Sequence, residues 1–262
     1  MLVGCPFCHH TRAACYREKQ PLRVCKGESR NIMKCDDCGL LYSDQRLGVN
    51  ESNEYIAQYG LGADGVARSF GNPRVGFTGN NPVVRLLEGV DKKGRSLDIG
   101  TWCGWHTYLY EELGFDSYGL EPHQGAAAFA CSKGLQVSHG AFPDDVPRKL
   151  LSSKYKLISM LDTMYYLHDL QKSFLKVRKM LRDDGVFVIT CHQGYSPYYD
   201  ENQGNSYFSR YGDYVQGIPT FSALQYCLER SGFRIMKTGG IEAGKIIPAS
   251  GADLFCILSG KA

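Results

Sequence analysis

The chain has 262 residues, 43% hydrophobic and 22% charged, a balance that suits one α/β domain with a small appendage. Its formal net charge of +3 is too small to demand a nucleic-acid or anionic-membrane partner. No apolar run approaches the roughly 20 residues that span a bilayer. The opening Met-Leu-Val-Gly-Cys-Pro lacks a basic segment followed by an apolar stretch, so the expected location is the cytoplasm.

Eleven cysteines are many. Cys15, Cys25, Cys103, Cys131, Cys191, Cys227 and Cys256 are scattered and read as free, mostly buried thiols. The rest form Cys5-Pro6-Phe7-Cys8 and Cys35-Asp36-Asp37-Cys38-Gly39. Zinc takes four soft ligands at tetrahedral corners, and a two-residue gap lets one tight turn present two sulfurs to one ion. Gly39 tolerates the positive φ such a turn often needs. Leu22–Val24 and Asn31–Lys34 are β-compatible. The expectation is a zinc ribbon over residues 1–45, with Cys5, Cys8, Cys35 and Cys38 as a closed structural site. His9, His10, Cys15 or Cys25 could replace one ligand. A redox pair would need a helix behind one motif, and neither pair has one.

Residues 46–94 read as a linker and helical segment. Gly39–Tyr42 suggests a strand leaving the ribbon, Asn53–Tyr59 a short helix, and 60–79 a glycine-rich irregular stretch. Asn81-Pro82 starts a helix, with Asn81 as its cap.

From residue 95 onward, strand-like and helix-like segments alternate. Strands are predicted at Ser96–Gly100, Ser117–Glu121, Leu135–His139, Leu157–Leu161, Val186–Thr190, Phe233–Thr238 and Leu254–Ser259. Helices are predicted at Trp105–Leu113, Gln124–Ser132, Leu170–Leu181 and Ser222–Arg230. In Leu170–Leu181, residues Leu170, Phe174, Val177 and Leu181 share one helical face. Asp183-Asp184-Gly185 reads as a turn. The pattern implies a mostly parallel, doubly wound α/β sheet whose last strand is antiparallel.

The chemistry concentrates in Leu97-Asp98-Ile99-Gly100-Thr101-Trp102-Cys103-Gly104. A strand, a glycine turn and a helix follow one another, and ligands of open α/β sheets sit at the carboxyl ends of the strands. Gly100 and Gly104 permit close backbone approach. Glu121 ends the next strand, where an acid can accept hydrogen bonds from ribose hydroxyls. The Gly-x-Gly-x-x-Gly pattern of a pyrophosphate site is missing. Asp98 would repel a pyrophosphate but suits a cation, so the electrostatics favour S-adenosylmethionine, a sulfonium without phosphates.

Leu97-Asp98-Ile99-Gly100 with Gly104, then Gly119-Leu120-Glu121-Pro122, resembles the cofactor motifs of class I (Rossmann-like) S-adenosylmethionine-dependent methyltransferases. Leu157–Asp162 looks like their fourth strand, and Val177–Ile189 like their helix, turn and fifth strand. The resemblance implies a seven-stranded sheet with an antiparallel last strand. It also implies cofactor contacts from Asp98, Gly100, Trp102, Gly104, Glu121 and Pro122, adenine contacts from Ala141 and Phe142, and methionine-end contacts from Leu161 and Asp162. Two departures stand out. Trp102 occupies a glycine position, which puts the loop's shape in question, and Asp184-Gly185 replaces Gly-Gly. For Phe142, core packing is an equal alternative.

Methyl transfer needs an aligned nucleophile and sometimes a base. His192 follows the fifth strand and His168 the fourth, and both are candidate catalytic groups beside Asp162. Tyr165, Tyr195, Tyr199 and Tyr207 are candidate acceptor contacts; the last three lie in a tyrosine-rich stretch, 194–214, that suits a lid or wall. The ribbon-plus-methyltransferase layout resembles bacterial-type enzymes acting on sugars, sugar nucleotides or related intermediates. Two alternatives remain: a zinc-ribbon rRNA base methyltransferase, which the weak charge disfavours, and a non-catalytic cofactor-binding scaffold.

Overall fold

The structure is a computed structural model and describes residues 4–21, 29–45, 70, 81–192, 215–242, 245–247 and 254–262. Two sheets organise these residues. The first has the order β1-β2-β3-β9, from β1 (Ala13–Pro21), β2 (Ser29–Cys35), β3 (Leu41–Ser43) and β9 (Gly217–Ile218). Its pairings are antiparallel. The first strand thus precedes Leu22–Val24, which lies outside the described residues. The helix expected at 53–59 also lies outside them, as does all of 60–79 except Phe70.

The second sheet comprises β4 (Arg95–Ile99), β5 (Asp116–Glu121), β6 (Val137–His139), β7 (Tyr155–Leu161), β8 (Leu181–His192), β10 (Phe233–Glu242), β11 (Lys245–Ile247) and β12 (Leu254–Lys261). Its order is β11-β10-β12-β8-β7-β4-β5-β6. Strands β4 to β8 are parallel. The last strand, β12, slots antiparallel between β8 and β10. This is the expected seven-stranded arrangement, with the three-residue β11 added at its edge.

Helices connect the strands: α1 (Pro82–Leu86), α2 (Trp105–Glu112), α3 (Gln124–Ser132), α4 (Arg148–Leu151), α5 (Leu170–Met180) and α6 (Phe221–Arg230). Their starts follow local chemistry. Asn81 Oδ1 accepts the Val83 and Val84 amides at 2.9 and 3.4 Å. Asp169 caps α5 through the Lys172 amide at 2.8 Å, and Thr220 caps α6 through the Ala223 amide at 3.1 Å. Leu170, Phe174 and Val177 are buried as the helical spacing required, and Leu181 is buried as the first residue of β8.

The turn expected at Asp183-Asp184-Gly185 is instead the early part of β8. The register with β7 shifts between Tyr155 and Leu157 to take up the extra residues. Lys156 Nζ anchors the stretch by donating to the Asp184 carbonyl at 2.8 Å and to its Oδ2 at 3.0 Å.

The N-terminal sheet shares the main hydrophobic core. Cys5, Phe7, Ile32, Leu40 and Tyr42 belong to the same buried cluster as Leu97, Ile158, Phe174 and Phe187. A chain of rings runs from the first cysteine turn into the sheet. Phe7 lies 6.4 Å from Phe174, Phe174 lies 5.8 Å from Phe187, and Phe187 lies 5.3 Å from Phe233. The first amide of α5, Leu170 N, donates to the Pro6 carbonyl at 2.8 Å. Phe174→Ala would open a cavity at this joint and should cost about 3–5 kcal/mol. Thermal and urea unfolding followed by circular dichroism will measure this; a loss below about 1 kcal/mol would show that the ring does not bridge the two sheets.

Candidate functional site

The two cysteine turns are built alike. Cys5 N and Cys35 N donate to the His10 and Leu40 carbonyls, and His9 N and Gly39 N donate back to the Cys5 and Cys35 carbonyls, each at 3.0 Å. The residue after each pair is left-handed, Gly39 at φ +73° and His9 at φ +58°. Sequence reasoning found the glycine but missed its histidine counterpart, although histidine is among the side chains that enter this region more readily.

The four sulfurs lie within 4.8 Å of one another. Cys5–Cys38, Cys8–Cys35 and Cys8–Cys38 are separated by 3.5, 3.4 and 3.7 Å. A tetrahedral zinc with sulfurs at about 2.3 Å has S···S edges of about 3.8 Å. The cluster could therefore hold a metal with little rearrangement. The hydrogen bond to Cys38, with burial behind it, pushes the Cys5 thiol far up. The neighbouring Cys227 thiol does the same to Cys38. Burial drives Cys8 up to about 12. Cys35 is shifted the other way, downward. Ionising four thiols packed this closely would be costly unless a cation took up the charge. Of the alternative ligands, the His9 imidazole is turned toward Asp169 at 3.7 Å, Cys15 is exposed, His10 does not join the four-sulfur group, and Cys25 lies outside the described residues.

A second site sits at the carboxyl ends of β4, β5 and β7. The chain runs from β4 outward to β5 and β6, then returns to the other side of β4 as β7, so a crevice opens between β4 and β7. Gly100 turns there at φ +75°. A Cβ on it would lie 2.4 Å from Thr163 Oγ1, so only glycine lets the two strand ends approach this closely. Gly104, at φ +87°, starts α2, and a Cβ there would meet Leu135 Cδ1 at 2.6 Å. Trp102 adopts φ +52°, so the tryptophan keeps a glycine-like backbone at a cost of about 1–2 kcal/mol.

Both acids are buried, Asp98 at 1% and Glu121 at 3% exposure. Asp98 Oδ1 accepts the Ser159 hydroxyl of β7 at 2.6 Å. Glu121 accepts two backbone amides, Trp102 N on Oε2 at 2.7 Å and His123 N on Oε1 at 2.8 Å. Glu121 thus clamps the glycine loop to the start of the next helix. Burial raises Asp98 to about 6, against the pull of the Ser159 and Thr101 hydroxyls. Burial likewise raises Glu121 to about 7, with Asp98 adding to it and the two amides opposing. His123 Nδ1 accepts the Ala126 amide at 3.0 Å and caps α3, and its ring lies 5.2 Å from Trp102. Pro122 is half-buried, and its carbonyl pairs with His139 Nε2 at 3.0 Å.

Ala141 is half-buried after β6. The Phe142 ring packs in the main core, with Lys176 Nζ 5.8 Å from its centroid. Leu161 is half-buried and Asp162 exposed at the tip of β7. Asp162 is held left-handed at φ +52°, and its amide donates to the Thr190 carbonyl and Oγ1, each at 3.2 Å. Tyr165 is fully buried and offers no ring face. Its hydroxyl donates to Asp162 Oδ1 at 3.0 Å and accepts the His192 amide at 2.5 Å. It therefore ties the ends of β7 and β8 to each other. His192 and His168 are half-buried at the ends of β8 and of the turn after β7. Tyr195, Tyr199 and Tyr207 lie outside the described residues.

Sequence reasoning missed Ser159, Thr163, Thr190 and the buried Thr101–Thr107 hydroxyl pair at 2.8 Å. One signal was present: Ser159 interrupts the apolar run Leu157-Ile158-Ser159-Met160-Leu161.

Residues 81–238 match the model of a family described as a methyltransferase domain. A Thermotoga maritima S-adenosylmethionine-dependent methyltransferase is similar in structure, with a TM-score of 0.56, 16% identity and coverage of 80% of this chain and 98% of that one. Magnesium protoporphyrin IX methyltransferase from Synechocystis, solved with S-adenosylhomocysteine, has a TM-score of 0.57, 14% identity and coverage of 80% and 98%. A glycopeptide N-methyltransferase in complex with S-adenosylmethionine has a TM-score of 0.51, 14% identity and coverage of 70% and 94%. At these identities the likeness is one of fold. No curated protein matches the sequence.

The raised acids set the pH dependence of stability. A carboxyl whose folded pKa exceeds its unfolded value stabilises most below the unfolded pKa of about 4, and the contribution is lost as pH rises through the folded one. For Asp98 that window runs from about 4 to about 6. In ligand-free protein, Asp98→Asn should therefore be more stable than wild type at pH 8, by about 2–3 kcal/mol, with the advantage gone at pH 4. Denaturant titrations at both pH values decide it; equal differences at the two would refute the burial argument.

Proposed function

The chain belongs to the methyltransferase-domain family, and from that premise we propose that it is an S-adenosylmethionine-dependent methyltransferase acting on a small-molecule acceptor, most plainly a sugar, sugar nucleotide or related intermediate. The observation that carries the cofactor is the pair of buried acids, Asp98 and Glu121, at neighbouring strand ends without a basic partner among the described residues. Such a site suits a cation bearing a ribose and repels a pyrophosphate. Bound there, the cofactor supplies an electrophilic methyl group. Glu121 is the acceptor for ribose hydroxyls, Ala141 flanks the adenine, and Leu161 and Asp162 face the methionine end. His192 and His168 are the candidates to take a proton from the acceptor, and Asp162 can orient its hydrogen.

Zinc is the proposed ion for Cys5, Cys8, Cys35 and Cys38, in a structural role, since four thiolates leave no open position. The boundary near residue 45 and the linker to 94 are proposed as the limits of the ribbon module. An RNA acceptor is the second reading. It is disfavoured because Cys5, Phe7, Cys35 and Cys38 are buried in the core and do not form a projecting arm, and because the net charge is only +3.

Metal analysis of purified protein should give about one zinc per chain; an intact fold with no zinc overturns the ribbon. Calorimetry should show S-adenosylhomocysteine binding that Glu121→Ala weakens by about tenfold or more, as expected for lost hydrogen bonds to a charged acceptor. Undiminished binding by the variant would remove Glu121 from the cofactor site. The acceptor class is tested by titrating sugar nucleotides and RNA fragments against protein saturated with S-adenosylhomocysteine. Tight, steeply salt-dependent RNA binding would favour the second reading.

A further inference from the structure

The two cysteine turns share one pattern of donors to sulfur. The first thiol of each pair accepts two backbone amides, Cys5 from Phe7 and Cys8, and Cys35 from Asp37 and Cys38. The second accepts one, Cys8 from His10 and Cys38 from Leu40. The symmetry ends at what surrounds that second thiol. Cys8 is half-buried, whereas Cys38 is closed off at 5% exposure beneath α6. There the side chain of Cys227 is its hydrogen-bond neighbour. The contact follows from how α6 lies. A Cβ on Gly39 would sit 4.0 Å from the Ala223 Cβ, and the Tyr226 hydroxyl meets Asp37 Oδ2 at 3.3 Å. Cys227 follows Ala223 by one helical turn, so it shares the face that rests on the second cysteine turn. It is itself buried and belongs to the same core cluster as Cys38.

A divalent ion held by four thiolates leaves an excess of negative charge on the sulfurs. Buried charge of this kind must be met by donors. Cys5 and Cys35 have two amides each, and Cys8 has one amide and partial access to solvent. Cys38 has one amide and little solvent, which leaves Cys227 to supply its second donor. A metal-bound thiolate has no proton to give, so the direction of that bond is fixed: the Cys227 S–H donates and the Cys38 sulfur accepts. Cys227 is not one of the sulfurs that lie within 4.8 Å of one another, so it stands outside the ligand tetrahedron. We propose that Cys227 is a fifth thiol of the metal centre: it binds no ion itself, and it donates to the Cys38 thiolate, so that a residue of α6 sets how tightly the ribbon holds its metal. This rests on the zinc reading above. Cys227 is a positioning residue, since it acts on the ion through Cys38.

The test needs neither cofactor nor acceptor. The full chain is loaded with zinc, or with cobalt(II) as a coloured substitute, in the wild type, Cys227→Ala and Cys227→Val. Zinc dissociation constants are measured by competition with a chromogenic chelator at one pH. Loss of the donor should weaken zinc by about 10–100-fold in both variants, the range for partners that hydrogen-bond a metal ligand. In the cobalt form, the sulfur-to-cobalt charge-transfer band should move to lower energy, because a thiolate that loses a donor gives up its electrons more easily. The cobalt d–d bands report whether four sulfurs still surround the ion. Valine refills the space that alanine vacates, so it separates the donor from packing and keeps the test open if the alanine variant unfolds. Wild-type affinity and an unmoved band in Cys227→Val make Cys227 a packing residue and overturn the proposal, with the zinc reading left standing. A wild-type chain that takes up neither ion overturns the zinc reading, and this proposal with it.

Discussion

Two carboxylates held out of water beside each other are the constraint around which the main sheet is arranged. Dry carboxylates need fixed dipoles, and the fold supplies them from three directions. Strand β7 contributes the Ser159 hydroxyl, the glycine loop contributes the Trp102 amide, and the turn into α3 contributes the His123 amide. Each donor comes from an element that must be in register for the bond to form. The strained backbone at Trp102 and at Asp162 lies on the rim of the same crevice. Strain of this kind persists where surrounding structure over-determines it, and it gathers at working sites.

The cysteine cluster serves a different need. Its sheet is small and cannot bury a core of its own, so it borrows one. Phe7 reaches Phe174, Leu170 bonds to Pro6, and Cys227 of α6 touches Cys38. The Tyr226 hydroxyl adds a contact to Asp37 at 3.3 Å. Helices α5 and α6 thereby form a floor on which both cysteine turns rest. The ribbon reads in sequence as a separate module, yet in space it is a buttress of the catalytic sheet.

Much of this was legible beforehand for physical reasons. Helical periodicity marked α5, the Asn-Pro step marked α1, and buried runs marked β4 and β7, because each signal is local. Cysteine spacing marked the four sulfurs that the fold brings together, since tight turns fix sulfur positions without help from afar. What was not legible depends on distant partners. The two-residue β9 has no signal of its own and exists because Leu41 and Tyr42 offer it an edge. Tyr165 reads as a binding aromatic in the run Tyr165-Tyr166-Leu167-His168, whereas the hydroxyl it places between two strand ends makes it a strut. The Asp183–Gly185 stretch has turn composition, and the lysine opposite it on β7 keeps it extended.

The pairing of β3 with β9 also orders events during synthesis. Leu41 and Ile218 stand at opposite ends of the chain's main fold. Both cysteine turns can close while only the first forty or so residues have emerged, since each depends on its neighbours alone. The sheet that contains them gains its fourth strand only after the catalytic strands β4 to β8 have been made. A nascent chain thus exposes the bare flank of β3 through most of translation, until β9 covers it.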